Sequence, residues 1–475
     1  MSYAQAIDAQ RTRTLNDMKA YQSTLDGAVD FFFKVGALRE QDPVPAFLKA
    51  YLENREYALR TALWGRDIRQ GAGERKVFRD IVLYLENDTP EDAKILLSYV
   101  PILGRWDDLL LDFQNKDVEK FAYSLYVKGL RSENGLAAKW APRKGIKAAK
   151  LRKYMQLPPR QYRKYIVKLT NVVEQKMCAK EWDKINYEHV PSLASARYRS
   201  AFYRHDEQRY TEYVEKLKSG KATAKTNAVY PYDVVKSLSL SNVLMTTLSK
   251  AEKDFIIAQW DALPNYIQDA KVLPVIDTSG SMGFQLNNNT LKAAHVAFSL
   301  GIYFADKNTG PFNGCFVTFS HRPTLEHLEG NILQKFYQVN MAHWDMNTDL
   351  HKTFDLILQV AKDGNVNPED MPDTILILSD MQFDSCIEFD DSAMEMIRRK
   401  YIDAGYEVPK IVFWNIVAYN NVPVRFNEQG VALVSGASPS IIKTILSDNI
   451  KTLTPINIMT ETIMSDRYTP VLQDF

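Results

Sequence analysis

Residues 272–283 read VLPVIDTSGSMG. The first residues have the apolar composition of a buried strand, and they are followed at once by an aspartate and then by serine, threonine and glycine residues. A short apolar run bounded by turn residues predicts a strand that is covered on both faces. In parallel sheets, ligands bind outside the carboxyl ends of the strands. The stretch therefore predicts a kind of fold and also the place in that fold where a polar site is expected.

The chain after Leu263 alternates short aliphatic runs with helical stretches. The runs that follow the opening one are GCFVTFS (314–320), TILILSD (374–380), KIVFWNIV (410–417) and VALVSG (431–436). The helical stretches between them are LKAAHVAFSLGIYFAD (291–306), LHKTFDLILQVAKD (350–363) and DSAMEMIRRKYIDAG (391–405). Strands and helices that alternate over about 200 residues predict a doubly wound, Rossmann-like parallel sheet.

The first half of the chain has a helical period. From Pro43 to about Lys250 the apolar residues return every three or four positions, as in FLKAYLENREYALRTALWGRDI (47–68), which predicts one helix after another. Thr89 is the expected N-cap of one of these helices. We expect a multidomain α and α/β protein with a HEAT-like solenoid, open or ring-shaped, as its first part. The predicted domains are 1–265 (helical), 266–452 (Rossmann-like) and 453–475, a tail that packs on the helical domain.

The formal net charge of +1 conceals two oppositely charged halves. Residues 1–250 contain 43 Lys and Arg against 30 Asp and Glu, whereas residues 251–475 contain 16 against 28. This asymmetry indicates two regions with different partners, or two halves that attract each other. The sequence contains no membrane-length apolar run and no secretory signal, and its three cysteines are scattered. We expect a cytoplasmic protein without a membrane partner.

Three enzymatic interpretations of DTSGSMG fail at particular positions. An aspartyl-phosphate enzyme carries a second acid where this chain has Ser279, or a lysine next to the aspartate, which is missing here. A serine-hydrolase elbow needs G-x-S-x-G, and the sequence SGSMG (279–283) begins with serine. A P-loop needs G-x-x-x-x-G-K-S/T after a strand, and GAGER (71–75) follows a helical stretch. We therefore expect a protein that is not an enzyme.

The remaining interpretation is a divalent cation held by oxygen atoms. Asp277 ends the strand, and Ser279 and Ser281 follow two and four residues later in a tight loop. Mg²⁺ accepts such carboxylate and hydroxyl oxygens while it keeps several waters, and Mn²⁺ or Ca²⁺ is an alternative ion. The alternative without a metal is that the serines cap a helix.

Further oxygen ligands are expected from two other segments. Thr348 precedes Asp349 at the start of a predicted helix, and Asp380 ends TILILSD as Asp277 ends VLPVID. This combination resembles the metal-ion-dependent adhesion site of von Willebrand factor A domains, over about residues 266–450. The resemblance implies that Asp380 acts directly or through water, and that an open coordination position takes an acidic group of a partner protein. The ligands that it implies are Asp277, Ser279, Ser281, Thr348 and Asp380.

A basic stretch lies in the helical half at residues 134–173. It contains eleven Lys and Arg and no Asp or Glu, and its aromatic residues are Trp140, Tyr154, Tyr162 and Tyr165. A stretch without acids cannot compensate its own charge, and such surfaces attract polyanions. The aromatic residues either stack on unpaired bases or fill the core. The candidate RNA-binding residues are Lys139, Arg143, Lys144, Lys147, Lys150, Arg152, Lys153, Arg160, Arg163, Lys164 and Lys168.

A helical half followed by a von Willebrand type of domain is similar to the Ro autoantigen (TROVE-module) family of RNA-binding proteins. The runs LWGRDIRQGAGER (63–75), LGRWDDLL (103–110), AAKWAPRK (137–144), PPRQYRKYI (158–166) and YEHVPSLASARYRSAFYRHD (187–206) look most like a Ro-like family of bacteria, phages and large viruses. The resemblance implies a helical ring that binds the ends of single-stranded RNA and a basic outer face that binds small non-coding or misfolded RNA. The competing expectation is a protein-interaction or virion-assembly component, in which the metal site grips an acidic partner residue.

Overall fold

The protein consists of a helical N-terminal half and a C-terminal half that is built on a six-stranded sheet. This division confirms the predicted combination of an α and an α/β region. No helix in the described part of the chain is long and apolar enough to cross a bilayer. The computed structural model describes residues 11–14, 16–38, 41–170, 172–226, 229–238, 248–283, 292–309, 311–342, 349–383, 392–417, 421–446 and 453–473.

The N-terminal half begins with a β-hairpin and continues as short amphipathic helices. The hairpin strands are β1 (Arg11–Arg13) and β2 (Lys19–Tyr21). The helices are α1 (Gly27–Val35), α2 (Val44–Glu53), α3 (Arg55–Arg66), α4 (Arg75–Asp88), α5 (Pro90–Ser98), α6 (Val100–Leu103), α7 (Lys116–Arg131), α8 (Gly135–Trp140), α9 (Gly145–Met155), α10 (Pro159–Leu169), α11 (Val173–Cys178), α12 (Ser192–His205), α13 (Glu207–Lys218), α14 (Pro231–Val235) and α15 (Lys250–Asp261).

Prolines and polar caps divide these helices where the sequence indicates. Pro159 begins α10, and Pro90 begins α5 directly after Thr89, because proline lacks the N–H that the first turn leaves unpaired. Thr89 occupies the predicted cap position, but its side chain accepts no capping hydrogen bond. Asn134 does cap α8, since its side chain accepts from the N–H groups of Leu136 and Ala137.

The C-terminal half alternates strands and helices as predicted. Its strands are β3 (Val272–Asp277), β4 (Cys315–Phe319), β5 (Leu325–His327), β6 (Thr374–Ser379), β7 (Lys410–Asn415) and β8 (Val431–Ser435). Its helices are α16 (Ala293–Lys307), α17 (Ile332–Met341), α18 (Leu350–Asp363), α19 (Ala393–Ala404), α20 (Ile442–Leu446) and α21 (Pro455–Ile463). The sequence did not predict β5, a three-residue strand with two exposed positions.

The sheet has the order β5-β4-β3-β6-β7-β8, so β3 lies between β4 and β6. All neighbouring strands are parallel except β4 and β5, which are antiparallel. The chain runs from β3 to one side of the sheet and later returns to the other side at β6. The carboxyl ends of β3 and β6 therefore form the topological switch point, where doubly wound sheets bind ligands.

The two faces of the sheet belong to two different cores. Side chains alternate along each strand, so Val275 of β3 faces the core under α18 and α19, and Ile276 faces the opposite core. The apolar core that contains Ile276 also includes buried residues of α1, α3 and α7 in the helical half. The helical half and the sheet therefore share one apolar core.

Each end of the described chain packs on the other half of the protein. The N–H of Tyr21 in β2 donates to the Val422 carbonyl at 2.9 Å, and the N–H of Val422 donates back at 2.8 Å. After α21, Arg467 forms an ion pair with Asp67 at 2.5 Å, and the Tyr468 hydroxyl donates to the same carboxylate at 3.1 Å. The helical periodicity did not indicate the N-terminal hairpin, which lies within residues 1–265 and packs on the sheet half.

The two halves approach each other closely at a pair of glycines. A Cβ atom on Gly36, just after α1, would lie 2.6 Å from the backbone nitrogen of Gly436, which follows β8. The N–H of Gly36 also donates to the Ser435 hydroxyl at 3.0 Å. A side chain at position 36 would therefore push the first helix away from the sheet.

We predict that Gly36→Ala lowers the free energy of unfolding by about 2 kcal/mol, because overpacking against backbone atoms forces the shared core apart. The measurement is urea unfolding followed by circular dichroism. Gly135→Ala is the matched control, since its Cβ would meet its nearest neighbour, the Leu169 carbonyl oxygen, at an ordinary 3.4 Å. Equal stability of the two variants would contradict the close approach of the halves.

Candidate functional sites

Two carboxylates are buried at the switch point of the sheet. Asp277 is the last residue of β3, and Asp380 directly follows β6. Neither side chain is exposed to solvent. The parallel register pairs Ile276 with Leu378, so the two carboxylates follow neighbouring strands at the same edge.

Hydroxyl groups surround the Asp277 carboxylate. Its Oδ1 accepts from the N–H of Ser279 at 2.9 Å, and its Oδ2 accepts from the Ser379 hydroxyl at 2.6 Å. The hydroxyl oxygens of Ser279 and Ser281 lie 2.8 Å apart, and Ser281 is exposed. The loop after β3 therefore leads from a buried acid to hydroxyl groups at the surface.

The negative charge at this edge is not compensated within the described residues, where neither Asp277 nor Asp380 forms an ion pair with a basic side chain. Burial raises the pKa of both carboxyl groups, and the charge of Asp380 raises that of Asp277 further. Oδ2 of Asp380 is buried and has no hydrogen-bond partner among the described protein atoms. Buried charges are normally paired or coordinate a metal, so these groups fit a divalent cation.

The structure describes four of the five predicted metal ligands. Asp277, Ser279, Ser281 and Asp380 come from the ends of β3 and β6, whereas Thr348 lies outside the described residues. No group of three or more His, Cys, Asp or Glu suited to a metal occurs in the part of the chain that is described. Two carboxylates with hydroxyl oxygens are a donor set for a hard cation such as Mg²⁺ and not for zinc.

Two further residues have structural roles, namely Asp349, which follows the predicted ligand Thr348 in the sequence, and Ser379 at the end of β6. The carboxylate of Asp349 caps α18 by accepting from the N–H of Lys352 at 2.9 Å, and it forms an ion pair with the Lys352 ammonium at 3.1 Å. Sequence reasoning missed Ser379, which holds Asp277. The sequence did contain an indication of this role. Ser379 ends β6 one residue before Asp380, and neighbouring parallel strands end at the same edge of the sheet.

The basic stretch folds into α8, α9 and α10. Acids from other segments neutralise three of its eleven cations: Lys139 pairs with Glu174 at 3.0 Å, Lys147 with Asp112 at 3.0 Å, and Lys150 with Glu119. These three lysines therefore contribute less positive potential than the sequence suggests.

The other eight cations form no ion pair within the described residues, and we call them the free cations. Seven are exposed and Arg152 is half-buried. On α10, Arg160, Lys164 and Lys168 follow one another at four-residue spacing and therefore lie on one face, opposite the buried Tyr162 and Ile166. The free cations are Arg143, Lys144, Arg152, Lys153, Arg160, Arg163, Lys164 and Lys168.

The aromatic residues of the basic stretch pack against the core, where Tyr162 is fully buried and Trp140, Tyr154 and Tyr165 are half-buried. The hydroxyl of Tyr162 donates to the Pro142 carbonyl at 3.0 Å, and that of Tyr165 donates to Leu130 at 2.7 Å. The ring of Tyr154 stacks on Tyr123, with centroids 5.5 Å apart. The Arg105 guanidinium lies 3.8 Å above the ring of Trp140. The buried ring of Tyr162 agrees with the core alternative, and the three half-buried rings already contact other groups of the protein.

Two family models match the chain, one for each half. Residues 144–273 match a domain of unknown function, DUF2828, and residues 271–466 match another, DUF7788. The two matches meet at the start of β3, where the helical half passes into the sheet.

The chain is similar to a solved bacterial structure and to a viral protein. The crystal structure of the Deinococcus radiodurans RO (RSR) protein aligns with 92% of this chain and 93% of that chain, at 14% identity and a TM-score of 0.36. The uncharacterized protein L728 of Acanthamoeba polyphaga mimivirus is 30% identical, over 94% of this chain and 86% of the viral protein. The chain belongs to the same family as this mimivirus protein.

Proposed function

We propose that the protein binds RNA through the free cations of α9, α10 and the loop before α9. The observation that carries this proposal is their lack of intramolecular partners: eight cations lie close together in the chain without a neutralising acid in the described residues. A polyanion supplies the missing counter-charges, and counterions released from its phosphates drive the association. The proposed role is binding and not catalysis.

The arrangement on α10 supports this proposal. Like charges at four-residue spacing repel each other and destabilise a helix, so Arg160, Lys164 and Lys168 lower the stability of the free protein. Phosphate groups laid along this face would remove the repulsion. The rings of Tyr162 and Tyr165 are engaged inside the protein, so the proposed contacts are to the RNA backbone. Small structured RNA fits such contacts, and a HEAT-like solenoid, open or closed into a ring, would present them on its outer side.

We predict that reversing Lys153, Arg160, Arg163 and Lys164 to Glu weakens RNA binding roughly 100-fold at about 100 mM salt. The slope of log affinity against log salt should fall by about one for each phosphate group that the variant no longer binds. Fluorescence anisotropy with a hairpin RNA at several salt concentrations measures both quantities. The decrease in affinity should be similar for RNAs of different sequence, because backbone contacts carry no sequence information.

The matched control reverses four exposed lysines elsewhere, Lys216, Lys221, Lys225 and Lys362, which changes the net charge by the same amount. This variant should keep most of the wild-type affinity. An equal decrease in both variants would show that only net charge matters. Wild-type binding weaker than about 10⁻⁵ M at low salt and without salt dependence would contradict RNA binding altogether.

We also propose a divalent cation site at the switch point, with Asp277, Ser279, Ser281 and Asp380 as the groups that hold the ion and Mg²⁺ as the first candidate. The specific observation is a pair of buried carboxylates that form no ion pair with the described basic residues, together with an Oδ2 of Asp380 that has no hydrogen-bond partner among the described protein atoms. When bound, the ion would supply positive charge to this edge and an electrophilic position for an acidic ligand. Thr348, outside the described residues, remains the predicted fifth ligand.

We predict that Mg²⁺ or Mn²⁺ raises the thermal stability of the wild-type protein after treatment with EDTA, by about 2.7 kcal/mol at an ion concentration of 100 times Kd. Asp277→Ala should abolish this response, because it removes the central carboxylate. Asp349→Asn is the matched control: the amide oxygen can still cap α18, and the response to the cation should persist. Differential scanning fluorimetry measures the shift. A wild-type response that survives in Asp277→Ala would disprove the assignment.

A further inference from the structure

The N-terminal hairpin contacts the segment that carries Asp380. Two side chains from the turn region of the hairpin donate to backbone carbonyls of that segment, although hundreds of residues separate them in the chain. The Asn16 amide donates to the Gln382 carbonyl at 2.9 Å, and the Thr14 hydroxyl donates to the Phe383 carbonyl. The loop that carries one acid of the cation site therefore has hydrogen-bond donors from the start of the chain.

The hairpin is held in place by its own contacts with the rest of the protein, so it can support the segment after Asp380. Met18, between the two strands, is 1% exposed and packs in the core under α18 and α19. The Met18 N–H donates to the Thr14 hydroxyl oxygen at 3.0 Å, which orients that hydroxyl towards Phe383. The two hydrogen bonds between Tyr21 and Val422 fasten the second strand to the sheet half.

The segment after Asp380 has a backbone that needs support. Met381 is a buried residue with φ of 66°, in the left-handed region that side chains other than glycine rarely adopt. Such a conformation persists only when neighbouring contacts hold it. Here the N–H of Met381 donates to the Ser379 hydroxyl oxygen at 3.1 Å, and its carbonyl accepts from the Asn421 amide at 3.0 Å.

One hydrogen bond connects the backbone of this segment to the Asp380 carboxylate. The N–H of Gln382 donates to Oδ1 of Asp380 at 3.1 Å, and the carbonyl of the same residue is the one that accepts from Asn16. The Gln382 side chain also donates to the Asn421 amide oxygen at 2.7 Å. The peptide group whose N–H holds the Asp380 carboxylate is bound by Asn421 at its Met381 carbonyl, and the next peptide group is bound by Asn16 at its Gln382 carbonyl. The other carboxylate oxygen of Asp380, Oδ2, has no hydrogen-bond partner among the described protein atoms.

We infer that Asn16 and Thr14 are positioning residues of the cation site, because they hold the backbone that orients Asp380 towards the bound ion. The inference rests on the proposed cation site. Hydrogen-bonding partners of metal ligands typically change metal affinity 10- to 100-fold when they are removed. The start of the chain would in this way set the cation affinity of a site that lies near residue 380.

The test compares Mn²⁺ affinity, measured by electron paramagnetic resonance, in the wild-type protein and in the double variant Thr14→Val with Asn16→Ala. We expect the dissociation constant to rise about tenfold. Hydrogen exchange should become faster in peptides that cover residues 380–383. Thr14→Ser keeps the hydroxyl and should keep wild-type affinity. Asp17→Asn is the matched control on the same hairpin, since the Asp17 carboxylate is exposed and pairs with Arg13.

The outcomes separate this inference from the proposal on which it rests. If Asp277→Ala abolishes Mn²⁺ binding while the double variant keeps wild-type affinity, the cation site stands and the inference is overturned. If the wild-type protein binds no Mn²⁺, the cation site and the inference are both overturned. Should the double variant fold poorly, Asn16→Ala alone provides the measurement, because Asn16 is only half-buried. Faster exchange at 380–383 together with weaker Mn²⁺ binding supports the inference.

Discussion

The burial of one sheet face against the helical half is the constraint on which the rest of the structure depends. Ile276, Leu378 and Trp414 face a core that continues into α1, α3 and α7. The opposite face is covered by α18 and α19. Since both faces are closed, polar groups of the central strands can meet ligands only at the strand ends. The carboxylates of Asp277 and Asp380, and the hydroxyl group of Ser379, lie at that edge.

The division of charge along the sequence corresponds to two different kinds of surface. In the helical half, acids from neighbouring segments neutralise Lys139, Lys147 and Lys150 but leave the free cations of α9 and α10 unpaired within the described residues. In the sheet half, two acidic side chains are buried beside a hydroxyl-rich loop and form no ion pair with a basic residue in the described part of the chain. One surface suits an extended polyanion and the other a single small cation. The two proposed functions therefore require different ligands, and neither ligand competes for the site of the other.

The sequence predicted the features that local patterns encode. Short two-sided apolar runs identified β3, β4, β6, β7 and β8, and their carboxyl ends located Asp277 and Asp380. The core alternative for the tyrosines of the basic stretch also agrees with their hydrogen bonds. Sequence patterns could not identify which residues pair between distant segments. The pairing of Lys150 with Glu119, the close approach of Gly36 to Gly436 and the hairpin on the sheet half all depend on tertiary packing.

The contact between the N-terminal hairpin and the segment after β6 has a consequence for biosynthesis. Thr14 and its partner Phe383 are 369 residues apart in the chain. A ribosome that adds 5–20 residues per second needs roughly 20 to 70 seconds to make that interval. The hairpin therefore leaves the ribosome well before the segment that it binds, and it cannot dock until the residues around Phe383 have also been made. Its docking is a step that local folding of the first residues cannot complete alone.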